Sequence, residues 1–241
     1  MVRISFRRVI ALATIVAGCD SVLGLKAYPD APSNELGCES RVALMCGDFE
    51  HGTTVYVNGA ASDVPLGGSN VTASVEAPGS NGGHALYIDS TGGTFHLEGS
   101  GTVPTSQIAA TFDLELTLTD PMTPATGLAV LDFDMVPGGC YVALNYEPSP
   151  PRLALAQNCG SMQPDDLVMP LPSHTQFATV AFTVDLVAKT GTVQLGQNMA
   201  LVHIIPGAST GIPSVILGFF DSLAGTTARV GFDNILVTSA N

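Results

Sequence analysis

Hydrophobic and polar residues alternate along much of the chain, and the clearest alternation runs through residues 108–118. Its apolar members share one face of a strand: Phe112, Leu114, Leu116 and Leu118. Its polar members share the other face: Asp113, Glu115 and Thr117. Successive side chains of a strand point to opposite faces, so this pattern predicts a strand with one side on a core and the other facing water or a ligand.

Similar short runs recur at close spacing, and together they predict about a dozen strands. These runs are residues 53–58, 71–76, 84–89, 94–97, 128–135, 140–146, 152–157, 179–186, 192–195, 215–220 and 228–237. Beyond residue 18 no stretch has the period of an amphipathic helix. The pattern predicts an all-β fold, a two-sheet antiparallel β-sandwich of the jelly-roll kind.

Two connections can be predicted individually. The sequence Lys189-Thr190-Gly191 predicts the turn of a hairpin that leads into residues 192–195. Residues 160–175 are polar and rich in proline, and they predict the longest irregular stretch of the domain. Long loops on a rigid sheet are common binding sites, although a surface loop without a partner is the alternative.

The first residues of the chain have the pattern of an export signal. Basic residues Arg3, Arg7 and Arg8 precede an apolar run, residues 9–17, which is too short to span a bilayer as a permanent helix. Small residues then lead directly to Cys19. This arrangement resembles the bacterial lipoprotein signal, and the resemblance implies that Cys19 becomes the acylated first residue of the mature chain. An ordinary secretory signal with an incidental cysteine is the alternative.

These features predict three parts: a lipoprotein signal peptide in residues 1–18, a lipidated N-terminus and flexible tether in residues 19–37, and a β-sandwich domain in residues 38–241. The tether prediction rests on polar composition and on Pro29 and Pro32. We expect a lipid-anchored location in the cell envelope, at the outer membrane or cell surface rather than the inner membrane. Asp20 leaves the inner membrane open, because an acid after the lipidated cysteine resembles a retention signal of some bacteria.

Charge narrows the possible partners. Without residues 1–18 the chain would keep five basic residues against 21 acidic ones, a formal charge of −16. Phosphate binding needs clustered Lys and Arg, and the five basic residues are scattered. The sequence therefore predicts no nucleic-acid partner, and it predicts a membrane contact through the lipid anchor.

The remaining cysteines fit an oxidising compartment. If Cys19 carries lipid, four are left, which is an even number. Sequence order favours Cys38 with Cys46 and Cys140 with Cys159, although four cysteines allow three connectivities. A metal site is the weaker alternative, because the cysteines and the five histidines lack metal-ligand spacing.

Several short motifs together resemble the concanavalin A-like lectin/glucanase jelly roll, and the laminin-G-like group in particular. These motifs are Asp48-Phe49-Glu50, residues 82–88, residues 111–114, the hairpin in residues 182–193 and residues 230–237. The resemblance covers roughly residues 46–238 and implies the fold more strongly than the function. In bacterial surface lipoproteins it implies recognition of glycans or of other envelope components.

Retaining glucanases of this fold carry Glu-x-Asp-x-Glu on one strand, so that two carboxylates flank the glycosidic bond. Asp113 with Glu115, and Asp132 with Asp134, each supply two acids on one strand but do not complete that motif. The chain also has no Trp on which a sugar ring could stack. We therefore predict no catalytic residue and expect a non-catalytic binding module. A divergent glycoside hydrolase or lyase, or a purely structural protein-interaction lipoprotein, is the alternative.

Calcium is the one cofactor that the resemblance implies, because members of this fold often bind it in loops. The candidate ligands are Asp48, Asp89, Asp165, Asp166 and Asp233. From these we select Asp48 and Asp233, and together with the neighbouring Asn234 they are the residues that we predict to bind calcium. Asp and Asn in turns commonly bond their own backbone, which is the alternative for all of them.

Overall fold

A computed structural model describes Cys38 and residues 43–50, 52–65, 67–68, 70–118, 126–133, 141–148, 151–158, 162–170, 176–203, 210–220 and 227–240. This part of the chain consists of strands and their connections and contains no α-helix. The strands are β1 (Met45–Gly47), β2 (Thr54–Val57), β3 (Ala60–Asp63), β4 (Gly67–Gly68), β5 (Val71–Glu76), β6 (Ala85–Ser90), β7 (Phe95–Ser100), β8 (Gln107–Leu118), β9 (Thr126–Phe133), β10 (Tyr141–Pro148), β11 (Pro151–Asn158), β12 (Met162–Pro170), β13 (Ala178–Asp185), β14 (Thr190–Leu195), β15 (Asn198–His203), β16 (Pro213–Phe220) and β17 (Ala228–Ala240).

The strands form two antiparallel sheets, which confirms the predicted all-β sandwich. The larger sheet has the order β15-β14-β13-β8-β17-β1-β2-β3, with β6 joining β17 to β5 and β4 pairing with β5. The smaller sheet has the order β12-β11-β10-β9-β16-β7. All the described residues belong to one compact unit, Glu35–Asn241.

The core lies between the two sheets and follows the predicted alternation. On β8 the side chains of Phe112, Leu114 and Leu116 are buried. Phe112 packs against Phe232 of the neighbouring β17, with ring centroids 5.8 Å apart. From the smaller sheet, residues such as Leu217 on β16 join the same cluster. The apolar face of each strand was therefore readable from the sequence.

The longest strand, β17, is the hub of the larger sheet. It pairs with β8 on one side and with β6 and β1 on the other. Its register with β8 shifts between Asp233 and Leu236, where Asn234 has a left-handed φ of 49°. A β-bulge of this kind bends a strand and re-aims its side chains. This bulge is the structural basis of the site described below.

Two predicted connections were wrong in detail. The hairpin between β13 and β14 turns at residues 186–189, and Thr190 already pairs with Asp185. Lys189, the last residue of the turn, has a positive φ of 59°, and Gly191 already lies in β14. The second error concerns residues 160–175. Most of this stretch forms β12, which pairs with β11 although it contains Pro164 and Pro170.

The disulfide between Cys38 and Cys46 is present, which confirms that pairing. Cys140 and Cys159 lie outside the described residues, as do Cys19 and both predicted domain boundaries. No helix in the described ranges is long and apolar enough to cross a membrane.

Candidate functional site

The loop between β5 and β6, residues 77–84, is held against the outward face of the larger sheet by one hydrogen-bond network. Asp233 is buried, and its Oδ2 accepts hydrogen bonds from the backbone N–H and the hydroxyl of Ser80, at 2.9 and 3.0 Å. Its Oδ1 accepts the backbone N–H of Asn234 at 2.8 Å. The Asn234 amide donates to Ser80 Oγ and to Asp113 Oδ2, each at 2.8 Å, and Thr179 Oγ1 donates to Asp113 Oδ1 at 2.6 Å. We call these five residues the loop-fastening network.

The surroundings of Asp233 change the pKa of its carboxyl group. Burial is the main cause that raises the pKa of this carboxyl to about 6, and the nearby Asp113 charge adds to it. The hydrogen bonds from Ser80 and Asn234 oppose the shift because they stabilise the ionised form. A buried carboxylate that accepts three hydrogen bonds has a structural role, because it holds the loop against β17.

Glu50 also contacts this loop. Its Oε1 accepts the backbone N–H of His84 at 3.3 Å, and its Oε2 lies 3.7 Å from His84 Nδ1. The carboxylate is so close to Gly83 that a Cβ there would collide with it. The Gly-Gly sequence ahead of β6 therefore allows Glu50 to approach the backbone.

A second cluster covers the face beside this network. The Tyr87 hydroxyl lies 2.8 Å from the Pro78 carbonyl oxygen and 3.3 Å from Glu115 Oε2, so its one proton is shared between two acceptors. Arg229 lies over the Tyr87 ring, 4.2 Å from its centroid, and Phe177 meets the same ring edge-on at 6.2 Å. We call Tyr87, Phe177, Arg229 and Glu115 the tyrosine cluster.

The tyrosine cluster depends on one glycine. A Cβ on Gly231 would lie 2.9 Å from Tyr87 Cε1 and 3.1 Å from Phe177 Cζ. Because Gly231 has no side chain, the rings of Tyr87 and Phe177 can both pack over β17. Arg229 is in turn paired with Glu76 at 2.7 Å and Asp89 at 2.8 Å. The loop of residues 77–84, the rings of Tyr87 and Phe177 and the ion pairs of Arg229 therefore cover this region of the outward face of the larger sheet.

The Tyr87 environment gives a pH-dependent prediction. Burial, assisted by the Glu115 charge, raises the pKa of Tyr87 from 10.0 to about 12. The unfolded chain therefore loses this proton first, and the free energy of unfolding should fall as pH rises above 10, with no further loss from this group above 12. Chemical denaturation across this range should show the slope in the wild type and a smaller slope in Tyr87→Phe. Equal slopes in the two proteins would contradict the assignment.

The smaller sheet presents a different outward face. On β10 and β11 the residues Leu144 and Leu153 point into the core, so Ala143 and Ala154 point outward. These alanines are nevertheless only 6% and 5% exposed. Pairing registers place Ala143 in one row with Ile216 of β16, through Val130 of β9. We call Ala143, Ala154, Asn145 and Ile216 the recessed strip.

The two predicted acid pairs have different outcomes. Asp113 and Glu115 both project from β8, but each is engaged by neighbouring side chains, Asp113 in the loop-fastening network and Glu115 in the tyrosine cluster. Asp132 lies in β9 opposite Tyr141 and Ser214, and its side chain is outside the described part. Asp134 lies outside the described residues altogether.

Three of the predicted calcium ligands are engaged in other contacts. Asp233 and Asn234 belong to the loop-fastening network, Asp89 pairs with Arg229, and Asp48 follows β1. The backbones of Asp165 and Asp166 lie in β12, and their side chains are outside the described part.

The observed contacts do not by themselves make a calcium cage. Calcium takes six to eight oxygen ligands, whereas both Asp233 oxygens already accept hydrogen bonds and Asn234 directs its N–H groups at its neighbours. Among the residues that the structure describes, no three His, Cys, Asp or Glu side chains group as a metal site. Calcium at Asp48, Asp233 and Asn234 stays a prediction.

Sequence reasoning missed Ser80, Tyr87, Phe177 and Arg229 as members of these clusters. Tyr87 lies on β6 in a run that is apolar on both faces, Ala85 to Ile88, which is a signal that both sides of that strand are covered. The other three carried no local signal, because their partners are between 90 and 154 residues away along the chain.

The sheets and their order define an antiparallel jelly-roll β-sandwich. No protein-family model matches the chain, and no curated protein sequence matches it. Solved structures do match its fold. The chain is similar to the cellulose induced protein Cip1, with a TM-score of 0.56 and 17% identity over 81% of this chain and 97% of that one.

Two other solved structures are similar at lower identity. One is the alginate lyase AlgAT5 from Polysaccharide Lyase family 7, with a TM-score of 0.50 and 11% identity over 70% of this chain and 82% of that one. The other is the binding domain of botulinum neurotoxin DC, in complex with rat synaptotagmin II, with a TM-score of 0.54 and 8% identity over 83% of this chain and 48% of that one. Proteins with such different names share the fold, so the likeness establishes the fold alone.

Proposed function

We propose that the protein is a lipid-anchored, non-catalytic module of the cell envelope that binds glycan or another envelope component. The observation that carries the proposal is the engagement of Asp113 and Glu115. A retaining glycosidase needs two carboxylates free to flank one bond. Here Asp113 accepts from Thr179 and Asn234, and Glu115 is engaged by Tyr87, so these acids stabilise a loop and a ring cluster.

The recessed strip is the surface that we assign to the ligand. Two of its members, Ala143 and Ala154, have short side chains that are almost fully buried on the outward side. Its member Asn145 and the neighbouring Ser214 are half-buried polar residues. Glu98 extends the same row on β7, where it pairs with Ile216. The names of similar folds, an alginate lyase and a cellulose induced protein, favour a saccharide as the ligand.

Lipidation at Cys19 and a location at the outer membrane or cell surface are parts of the same proposal. They rest on the signal pattern of residues 1–19. Calcium binding by Asp48, Asp233 and Asn234 is a separate part of the proposal, and binding at the recessed strip does not depend on it.

A pull-down with purified envelope polysaccharides tests the binding function. The full chain carrying Cys19→Ser should be retained by peptidoglycan sacculi or by a subset of a glycan array. Ile216→Arg, which places a long charged group on the recessed strip, should weaken retention by about tenfold or more, equivalent to ~1.4 kcal/mol. Thr183→Arg, on the outward face of the larger sheet, is the matched control and should bind normally.

Two results would count against the proposal. Release of soluble oligosaccharide that Glu115→Gln abolishes would favour a hydrolase or lyase instead. Failure to bind any polysaccharide, combined with specific capture by an envelope protein, would favour the structural lipoprotein.

A further inference from the structure

The end of the sandwich at which the chain enters the domain is formed by five neighbouring segments, which we call the tether end. Register places them together, because Met45 pairs with Val237, Gln107 with both Ala240 and Asp185, and Thr105 with Gly211. The segments are residues 43–44, 101–106, 186–189, 210–213 and 238–240. Cys38, the residue after the predicted tether, is bonded to Cys46, which pairs with Leu236 four residues before the end of β17. The predicted tether, residues 20–37, therefore joins the domain in the half nearer this end.

Three exposed apolar side chains lie on the tether end. Val103 is 60% exposed, Val187 63% and Ile212 38%. Their segments are directly bonded: Gly101 N–H donates to the Pro213 carbonyl at 2.7 Å, and Leu186 N–H donates to the Ser106 carbonyl at 2.8 Å. Leu44, seven residues after the end of the predicted tether, lies beside the position of a Gly101 Cβ, at 3.5 Å. Segment 43–44 and the exposed apolar side chains therefore lie at the same end of the domain.

The tether end also differs from the rest of the molecule in charge. Its described segments contain a single charged residue, Lys189, and the nearest strand end adds Asp185. Asp185 is capped by the backbone N–H groups of Val187 and Ala188 and by the Gln107 amide. One positive and one negative charge balance here, whereas the mature chain would carry −16. An anionic bilayer would repel this end less than the average surface.

The length of the tether keeps this end near the membrane. A flexible linker of the length of residues 20–37 has a root-mean-square span of about 25 Å. The 13 residues of β17 make the domain about 40 Å long from this end to the other. The disulfide from Cys38 to Cys46 ties the end of the linker to β1. The opposite end cannot approach the bilayer as often as the tether end does.

We propose that the tether end rests on the bilayer, with Val103, Val187 and Ile212 entering the interfacial region. This inference rests on the proposed lipid anchor at Cys19. One or two acyl chains restrict the domain to the membrane surface, and additional apolar side chains then fix its orientation. The recessed strip would consequently stand roughly perpendicular to the membrane, open to ligands from the side.

The natural absence of tryptophan makes the test simple. Single variants Val103→Trp, Val187→Trp and Ile212→Trp of the full lipidated chain are reconstituted into phosphatidylethanolamine/phosphatidylglycerol vesicles, with and without brominated acyl chains. Their emission should shift to the blue on reconstitution and should be quenched by the brominated lipid. Met199→Trp, equally exposed on β15, and Thr91→Trp, at the opposite end, are the matched controls and should show neither effect.

Flotation of the vesicles tests the lipid anchor separately from the orientation of the domain on the membrane. If the chain floats with the vesicles but tryptophan at positions 103, 187 and 212 is quenched no more than at the control positions, the orientation is overturned and the anchor stands. If the chain does not float, the anchor fails and the inference fails with it. Concentration-dependent dimerisation that buries the three tryptophans away from lipid would also overturn it.

Discussion

Replacing Cys19 with serine should abolish acylation and move the protein from the membrane fraction to the soluble fraction. Each buried CH₂ of an acyl chain contributes ~0.8 kcal/mol to membrane binding, and no helix of the described chain could replace that anchor. Metabolic labelling with an alkyne-modified palmitate, followed by detergent phase partitioning, measures both effects. We expect complete loss of label together with partition into the aqueous phase.

The matched control is Cys38→Ser. This variant loses the disulfide to Cys46 but keeps the cysteine at position 19, so it should retain the label and the membrane fraction. Label that persists in Cys19→Ser would contradict the lipoprotein interpretation. A soluble wild-type protein without label would favour the ordinary secretory signal.

Replacing Asp233 with alanine should lower the free energy of unfolding by about 1–3 kcal/mol, because covered donors then lose their acceptor. Those donors are the N–H and O–H of Ser80 and the N–H of Asn234. The raised pKa of about 6 means that the ionised carboxylate is itself disfavoured, which reduces the net loss at neutral pH. Urea denaturation gives the stability, and hydrogen exchange at Ser80 reports the loop locally.

Asp185→Ala is the control for this prediction. Asp185 also accepts two backbone N–H groups, from Val187 and Ala188, but these bonds are at the surface. Water can replace an exposed acceptor, so the loss should stay within about 0.5 kcal/mol. Equal losses in the two variants would show that Asp233 is no more important than a turn residue.

The sequence was sufficient for most of the described strands and for the inward face of β8, because those depend on local alternation, but it did not predict β3, β12 or β15. The buried row of β8, Phe112 to Leu116, was predicted residue by residue. The hairpin at residues 186–189 shows the limit of the method. There Asp185 caps the turn and Lys189 adopts a left-handed φ, so the turn ends at Lys189, where we expected it to begin.

The outward face could be predicted only in part. Asp233 and Asn234 were selected as candidate ligands, and the simpler alternative, bonding to nearby backbone, describes the contact of Asp233 with the Asn234 N–H. Ser80 completes the network from 153 residues away. Such partners are set by the order of strands in the sheet, which alternation does not encode.

The recessed strip was also beyond sequence reasoning, because it depends on how exposed an outward alanine is. Ala143 and Ala154 are ordinary small residues in a strand pattern. Their burial on the outward side results from the shape of the smaller sheet and its surroundings. Function in this fold therefore has to be sought in surface shape rather than in motifs.

The position of β17 has a consequence for biogenesis. The larger sheet joins β1, near the start of the domain, to a strand about 190 residues later, so its central pairings have high contact order and form slowly. These pairings cannot form before residues 228–240 have been synthesised. Under the proposed export, late closure of this kind would leave the chain extended during its passage through a secretion channel. The disulfide between Cys38 and Cys46 would then form in the oxidising compartment beyond it.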